Sequence, residues 1–221
     1  MPKSRKILFQ LLTAVLLFVL QGCNKKGLFI SGERKTELRT FESFSEIELY
    51  DKISLVLIQD SIHGISVEAG ANLIADVETK ISNGRLEIRD NSKFKWTRDL
   101  DYSITVYVHT DLLKRITYHG AGNISSTNIL LADKFTMDSF NGIGNIDLAL
   151  ECREAELIIR MANADFRLRG KSDYTVMYCA DYGSMNLSAF ESKDLHMDYR
   201  SIRDSKINVT GLLSGSIHYN G

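Results

Sequence analysis

The stretch from Leu113 to Gly221 says nearly the same thing about five times, and this self-similarity restricts the fold more than anything else in the chain. Gly120-Ala121-Gly122-Asn123-Ile124 is echoed by Asn141-Gly142-Ile143-Gly144-Asn145-Ile146, then by Ala164-Asp165-Phe166, Gly183-Ser184-Met185 and Ser205-Lys206-Ile207. The first apolar residue after each turn is Ile124, Ile146, Phe166, Met185 and Ile207, a nearly regular spacing. A second column, Ser126, Leu148, Leu168, Leu187 and Val209, follows two positions behind, the spacing of side chains on one face of a strand. A third is Phe135, Leu157, Val176, Leu195 and Ile217. Alternating strands at a nearly fixed period, with no helical spacing, predict an all-β chain. The expected form is a right-handed β-helix or β-solenoid-like stack of short strands, each unit buried against its neighbours.

Residues 38–112 predict a β-rich half without that period. Phe44, Ile47 and Leu49 lead into Ile53-Ser54-Leu55-Val56-Leu57-Ile58 and then Ile65-Ser66-Val67, runs rich in β-branched and large apolar residues. Ala71 to Val77 is compatible with a helical turn. Asn83-Gly84 between two short apolar runs is the strongest local hairpin signal in the chain. Asn91 to Asp101 reads as an exposed loop, and Tyr102 to His109 alternates cleanly as a strand. Trp96 and Tyr102, with the basic residues around them, form a possible contact surface.

Ahead of the folded part, Lys3, Arg5 and Lys6 precede an apolar run from Ile7 to Leu20, broken only by Gln10 and Thr13. The run is short for a spanning helix and has the layout of a secretory signal over residues 1–22. Its ending, Leu20-Gln21-Gly22-Cys23, resembles the lipobox of bacterial lipoproteins. That resemblance implies acylation at Cys23 and anchorage to a membrane, and the polar, charged residues that follow it, around one short apolar patch, read as a tether, so that 23–37 links membrane and domain. The signal carries three basic and no acidic residues, so 27 Lys and Arg fall to 24 against 28 Asp and Glu, a formal charge of −4. A chain so charged lacks the basic footprint of a nucleic-acid binder. Its only proline is Pro2, so turns rest on Gly, Asn, Asp and Ser. Cys152 and Cys179 could pair in an oxidising compartment, but read more simply as small unpaired core residues.

Several of these segments together resemble a known family. Phe44 to Ile47, Asn72-Leu73, the Asn83 to Ile88 hairpin and Leu113-x-x-Ile116-x-x-x-Gly120-Ala-Gly-Asn-Ile124 follow in its order. The chain over about 40–221 is similar to the putative auto-transporter adhesin, head GIN domain family of secreted and surface-associated bacterial proteins. The turns Gly120, Gly122, Asn123 and Gly142, Gly144, Asn145 carry the match. The resemblance implies a β-helix-like fold and no established enzymatic activity.

No residue set predicts a cofactor. The Gly-x-Gly-Asn turns are followed by strands, whereas phosphate-cradling loops need a following helix. Asn123, Asn145 and Asp165 lack the dense Gly-Asp array of calcium-binding β-rolls, so stacked side-chain amides are expected and no metal. His63, His109, His119, His196 and His218 offer bases, and Ser125, Ser139 and Cys179 nucleophiles, in no recognisable arrangement. Two functions remain. One is a lipid-anchored cell-envelope or surface module that binds a protein or glycan. The other is an extracellular carbohydrate-active enzyme with a groove on the β-helix.

Overall fold

The computed structural model describes residues 31–40, 42–93, 95 and 102–218. Residues 1–30, with the signal and Cys23, lie outside the described residues, as does Trp96. The strands are β1 (Arg34–Arg39), β2 (Glu46–Leu49), β3 (Ile53–Gln59), β4 (Gly64–Gly70), β5 (Val77–Ser82), β6 (Arg85–Asp90) and β7 (Ile104–Thr110). They continue as β8 (Arg115–Tyr118), β9 (Ile124–Phe140), β10 (Asn145–Arg160), β11 (Asp165–Asp181), β12 (Ser184–Ser201), β13 (Lys206–Val209) and β14 (Leu213–Ile217). The 3-10 turn Ile74–Asp76 fills the segment compatible with a helical turn. Asn83 and Gly84 close the β5–β6 hairpin with φ of 52° and 73°, the left-handed pair that a tight two-residue turn requires.

The molecule is a β-solenoid-like stack. Strands β9 to β12 run parallel, each long enough to serve two ladders with a bend between them. In the first ladder, the front halves of β9 to β12 continue from β1, β4, β7 and β3 and end on β13. In the second, their rear halves continue from β5, β6, β2 and β8 and end on β14. Side chains alternate along every strand, so one set from each ladder points inward to a common core. Ile146, Leu148, Leu150, Leu157 and Ile159 of β10 are all fully buried in it. Each such side chain contributes about 1.5–3 kcal/mol by leaving water.

Pairing confirms the first column: Ile124 faces Ile146, Ile146 faces Phe166, and Phe166 faces Met185. The fifth member is displaced, because Lys206 pairs with Asn186, which moves Ile207 past Met185. The third column needs correction. Phe135 aligns with Ala155, Thr175 and Leu195, an even spacing, while Leu157 belongs with Met137 and Met177. Irregularities between Asp147 and Ala149 and between Arg167 and Arg169 absorb the uneven spacing of the turns at the bend, and beyond them the register is constant.

The expected tether also ends earlier. Arg34 to Glu37 already belong to β1, which pairs antiparallel with β4 from Arg34 opposite Gly70 to Arg39 opposite Ile65. Its side chains are mostly exposed, so backbone bonds and the Arg34–Glu68 pair at 2.7 Å hold it, with no apolar signal to reveal it. Arg39 bridges to the second ladder, donating to the carbonyl oxygens of Val77 at 2.7 Å and Ile74 at 3.2 Å.

Candidate functional site

The Gly-x-Gly-Asn turns lie along one edge of the stack. They bond rung to rung: the N–H of Ile143 donates to the Gly120 carbonyl, that of Asn163 to Gly142 and that of Asp165 to Gly144, at 3.0, 3.0 and 3.2 Å. The left-handed backbone of these turns falls not on the motif glycines but on Asp51, Asn141, Met161 and Asp181, with φ of 61°, 62°, 51° and 60°. The glycines are required by close approach. A Cβ on Gly122 would stand 1.9 Å from the Ile53 carbonyl oxygen, and one on Gly144 would stand 2.0 Å from that of Gly122. Tyr118 is fully buried beneath these turns and donates its hydroxyl to the Gly122 carbonyl at 2.5 Å. Its ring would meet a Cβ on Gly142 at 2.5 Å, so the motif glycines make room for a tyrosine as well as a neighbouring chain.

At the mouth of each turn the asparagine column is occupied by its own neighbours. Asn145 donates through its backbone N–H and its side-chain amide to Asn123 Oδ1, at 3.3 and 3.4 Å. Ser184 donates to Asp165 Oδ1 at 2.5 Å, and Arg203 pairs with the same oxygen at 2.7 Å. This is the expected stacking of side-chain amides, extended by an acid, a hydroxyl and a guanidinium.

The opposite edge, where each long strand bends, carries an open groove of about 960 Å³ that the sequence did not single out. Its wall is built from one short segment per rung: 131–133, 151–153, 171–173, and then Glu191 with Lys193, with Leu112 at one end and Thr210 and Gly211 at the other. Strand pairing holds equivalent positions of successive segments about 4.8 Å apart. Toward β9 the charges neutralise one another. Arg153 binds both Asp133 carboxylate oxygens, at 2.8 and 3.1 Å, and that bond holds the carboxyl below its usual range. Lys171 stands 3.6 Å from Glu151. Toward β12 they do not: among the described residues Asp173, Glu191 and Lys193 take part in no ion pair. The groove thus pairs its charges at one end and leaves both signs available at the other.

Outside the rear ladder, a column of rings crosses the rungs. Tyr50 stacks on His119 at 4.7 Å, His119 meets Phe140 edge-on at 5.9 Å, and Arg89 and Arg160 cap the two ends at 3.6 and 5.5 Å. Burial and a hydrogen bond to Glu48 push the Tyr50 hydroxyl up to about 12. Burial acts on Glu48 in the opposite sense to its partners, but the bonds from Tyr50 and Arg85 win and hold its carboxyl below the ordinary range. These groups are mutually satisfied and rigidify the sheet.

Of the conceivable nucleophiles Ser125 is half-buried on β9, and the other two are withdrawn from chemistry. Ser139 and Cys179 are fully buried, and burial pushes the Cys179 thiol up to about 12. Cys152 is a second unpaired thiol, half-buried and likewise raised to about 12 by burial. His109 bonds Asp60 at 2.8 Å, His119 bonds the Phe140 carbonyl at 3.1 Å, and His196 bonds Ser214 at 3.0 Å. His63 stands 3.4 Å from Asp111 and His218 3.0 Å from Asp198. Tyr102 is partly buried against the core with Lys52 4.9 Å above its ring, so it packs more than it presents. No group of three or more metal-ligating side chains occurs among the described residues.

Residues 43–221 match the family described as putative auto-transporter adhesin, head GIN domain. Among solved structures, a putative adhesin from Bacteroides fragilis is similar with a TM-score of 0.71 at 14% identity, over 86% of this chain and 97% of that one. A putative lipid binding protein from Parabacteroides distasonis is similar with a TM-score of 0.59 at 13% identity, over 85% of this chain and 96% of that one. At such identities the likeness is one of fold. Among curated proteins none matches the chain.

Proposed function

Because the chain belongs to the putative auto-transporter adhesin, head GIN domain family, we propose that it is a non-catalytic binding module of the cell envelope, held to a membrane through acylated Cys23. Its partner is an extended polymer, glycan or polypeptide, lying along the bend-edge groove. One observation carries this reading: the groove crosses successive rungs and presents a short segment of each, with Asp173, Glu191 and Lys193 at one end outside any ion pair among the described residues. A polymer with regularly spaced polar groups matches such a surface, whereas hydrolysis needs a poised acid, base or nucleophile set. The likeness in fold to a putative lipid binding protein makes a lipid headgroup a competing ligand. No helix among the described residues is long and apolar enough to cross a membrane, and an acyl anchor at Cys23 supplies attachment without one.

Three measurements test this. The Cys23→Ser chain is expected in the soluble fraction, with wild type partitioning into detergent; equal partitioning would remove the anchor from the account. Envelope polysaccharide and protein extracts immobilised on a surface are expected to retain the wild-type chain, and the triple change Asp173→Asn, Glu191→Gln, Lys193→Gln is expected to weaken retention at least tenfold. Retention unaffected by that change would move the binding surface away from the groove. Turnover of a polysaccharide abolished by one His, Asp or Glu substitution would replace binding with catalysis.

A further inference from the structure

The two ends of the stack are built differently. At the end formed by β1 and β5, the outermost strands carry Arg34, Lys35, Glu37, Arg39, Glu78 and Lys80, charges that discourage another strand from docking. At the other end β14, Leu213-Ser214-Gly215-Ser216-Ile217, carries no charge at all. It pairs on one side with β12, and among the described residues no strand pairs with its other side. Its inward positions are left open: Leu213 faces Leu195 and Ile217 faces Tyr199, yet they are 48% and 61% exposed against 1% and 7% for their partners. The core therefore continues past the last rung with nothing described over it.

The sequence of β14 says what fits there. About Gly215 it reads alike in both directions, with a hydroxyl on either side and a large aliphatic residue beyond each hydroxyl. We propose that β14 pairs antiparallel with β14 of a second copy, about a two-fold axis at Gly215, to form a dimer joined end to end. Leu213 then meets the partner subunit's Ile217 on the core side, Ser214 meets the partner subunit's Ser216 outside, and the two glycines face each other. Such a pairing is isologous, so it closes at two chains, completes the open hydrogen-bond row and covers both aliphatic positions. The opposite end is a poorer match for β14, because the edge it offers on this ladder is β5, with Glu78 and Lys80 on its outer face.

The test uses the full chain in detergent micelles, with light scattering for protein mass at concentrations up to tens of micromolar. Wild type is expected at the mass of two chains. The double variant Ser214→Lys, Ser216→Lys places four ammonium groups at the axis on exposed positions and is expected at the mass of one, with an unchanged circular dichroism spectrum. Independently, Ser214→Cys with Ser216→Cys is expected to give a reducible two-chain band on oxidation in membranes, which wild type does not give. A single-chain mass for wild type, a dimer that survives the lysines, or no cross-linked band overturns the proposal. A series of larger species would overturn it too, since only head-to-tail stacking is open-ended.

Discussion

The halves of this molecule make the same rungs by different routes. From β9 to β12 a rung is one continuous strand, and the next strand in the chain supplies the next rung in register. Before β9 a rung is composite: β3 lies under the front of β9 and β8 under its rear, and these two strands are themselves separated in the chain by β4 to β7. The second route ties distant segments together early. It makes the N-terminal half cooperative, whereas the repeats lean mainly on nearest neighbours.

The sharpest way to break that comparison is to place a charge in each half. Leu55 of β3 is fully buried in a strand paired with both β7 and β9, and Leu187 of β12 is equally buried near the far end. Either change to Asp strands a charge in the core at a cost of about 3 kcal/mol or more. Leu55→Asp is expected to abolish amide protection throughout. Leu187→Asp is expected to lose it from β12 onward and keep it in β3, β7 and β9. Loss of all protection in both would show a single cooperative unit and end the distinction.

The sequence revealed the continuous half and hid the composite one for a physical reason. Ile124, Ile146, Phe166 and Met185 recur because one strand makes one rung, so period in sequence equals spacing in space. In the composite half Ile47 faces both Leu86 and Ile116, at two unrelated separations, and no period survives. The turn glycines were legible as a motif but their cause was not. Tyr118, for which they make room, belongs to another strand, and the collision exists only once the rungs are stacked. The groove was invisible for the opposite reason: its positions repeat while its residues, Leu-Ala-Asp, Glu-Cys-Arg, Lys-Ser-Asp and then Glu191 with Lys193, share no chemistry.

A smaller contrast sets close approach against backbone conformation. Gly144→Ala drives a methyl into the Gly122 carbonyl and the Tyr118 hydroxyl and is expected to cost about 3 kcal/mol by overpacking. Gly84 sits in open space at φ +73°, so Gly84→Ala is expected to cost only about 1 kcal/mol, from left-handed strain alone. Urea denaturation that ranked them the other way would make conformation, not crowding, the reason for the motif. The smallest expected effect lies in the left-handed column, where three turns use Asp or Asn and one uses Met161. Met161 is exposed, so Met161→Asn is expected to gain about 0.5 kcal/mol, raising the melting temperature by about 1–2 °C. A fall in melting temperature would mean that the methionine side chain contributes packing there.

The constant register beyond the bend has a genetic meaning. A duplication of residues 141–160 would begin and end at equivalent points of adjacent turns and would bring with it a left-handed residue, an inner row and a groove triplet. The insert could slot between existing neighbours and leave both ends untouched, lengthening the stack by about 4.8 Å. Reach is thus an inheritable quantity in such a chain, adjustable in whole increments by unequal recombination without redesign of the parts that remain.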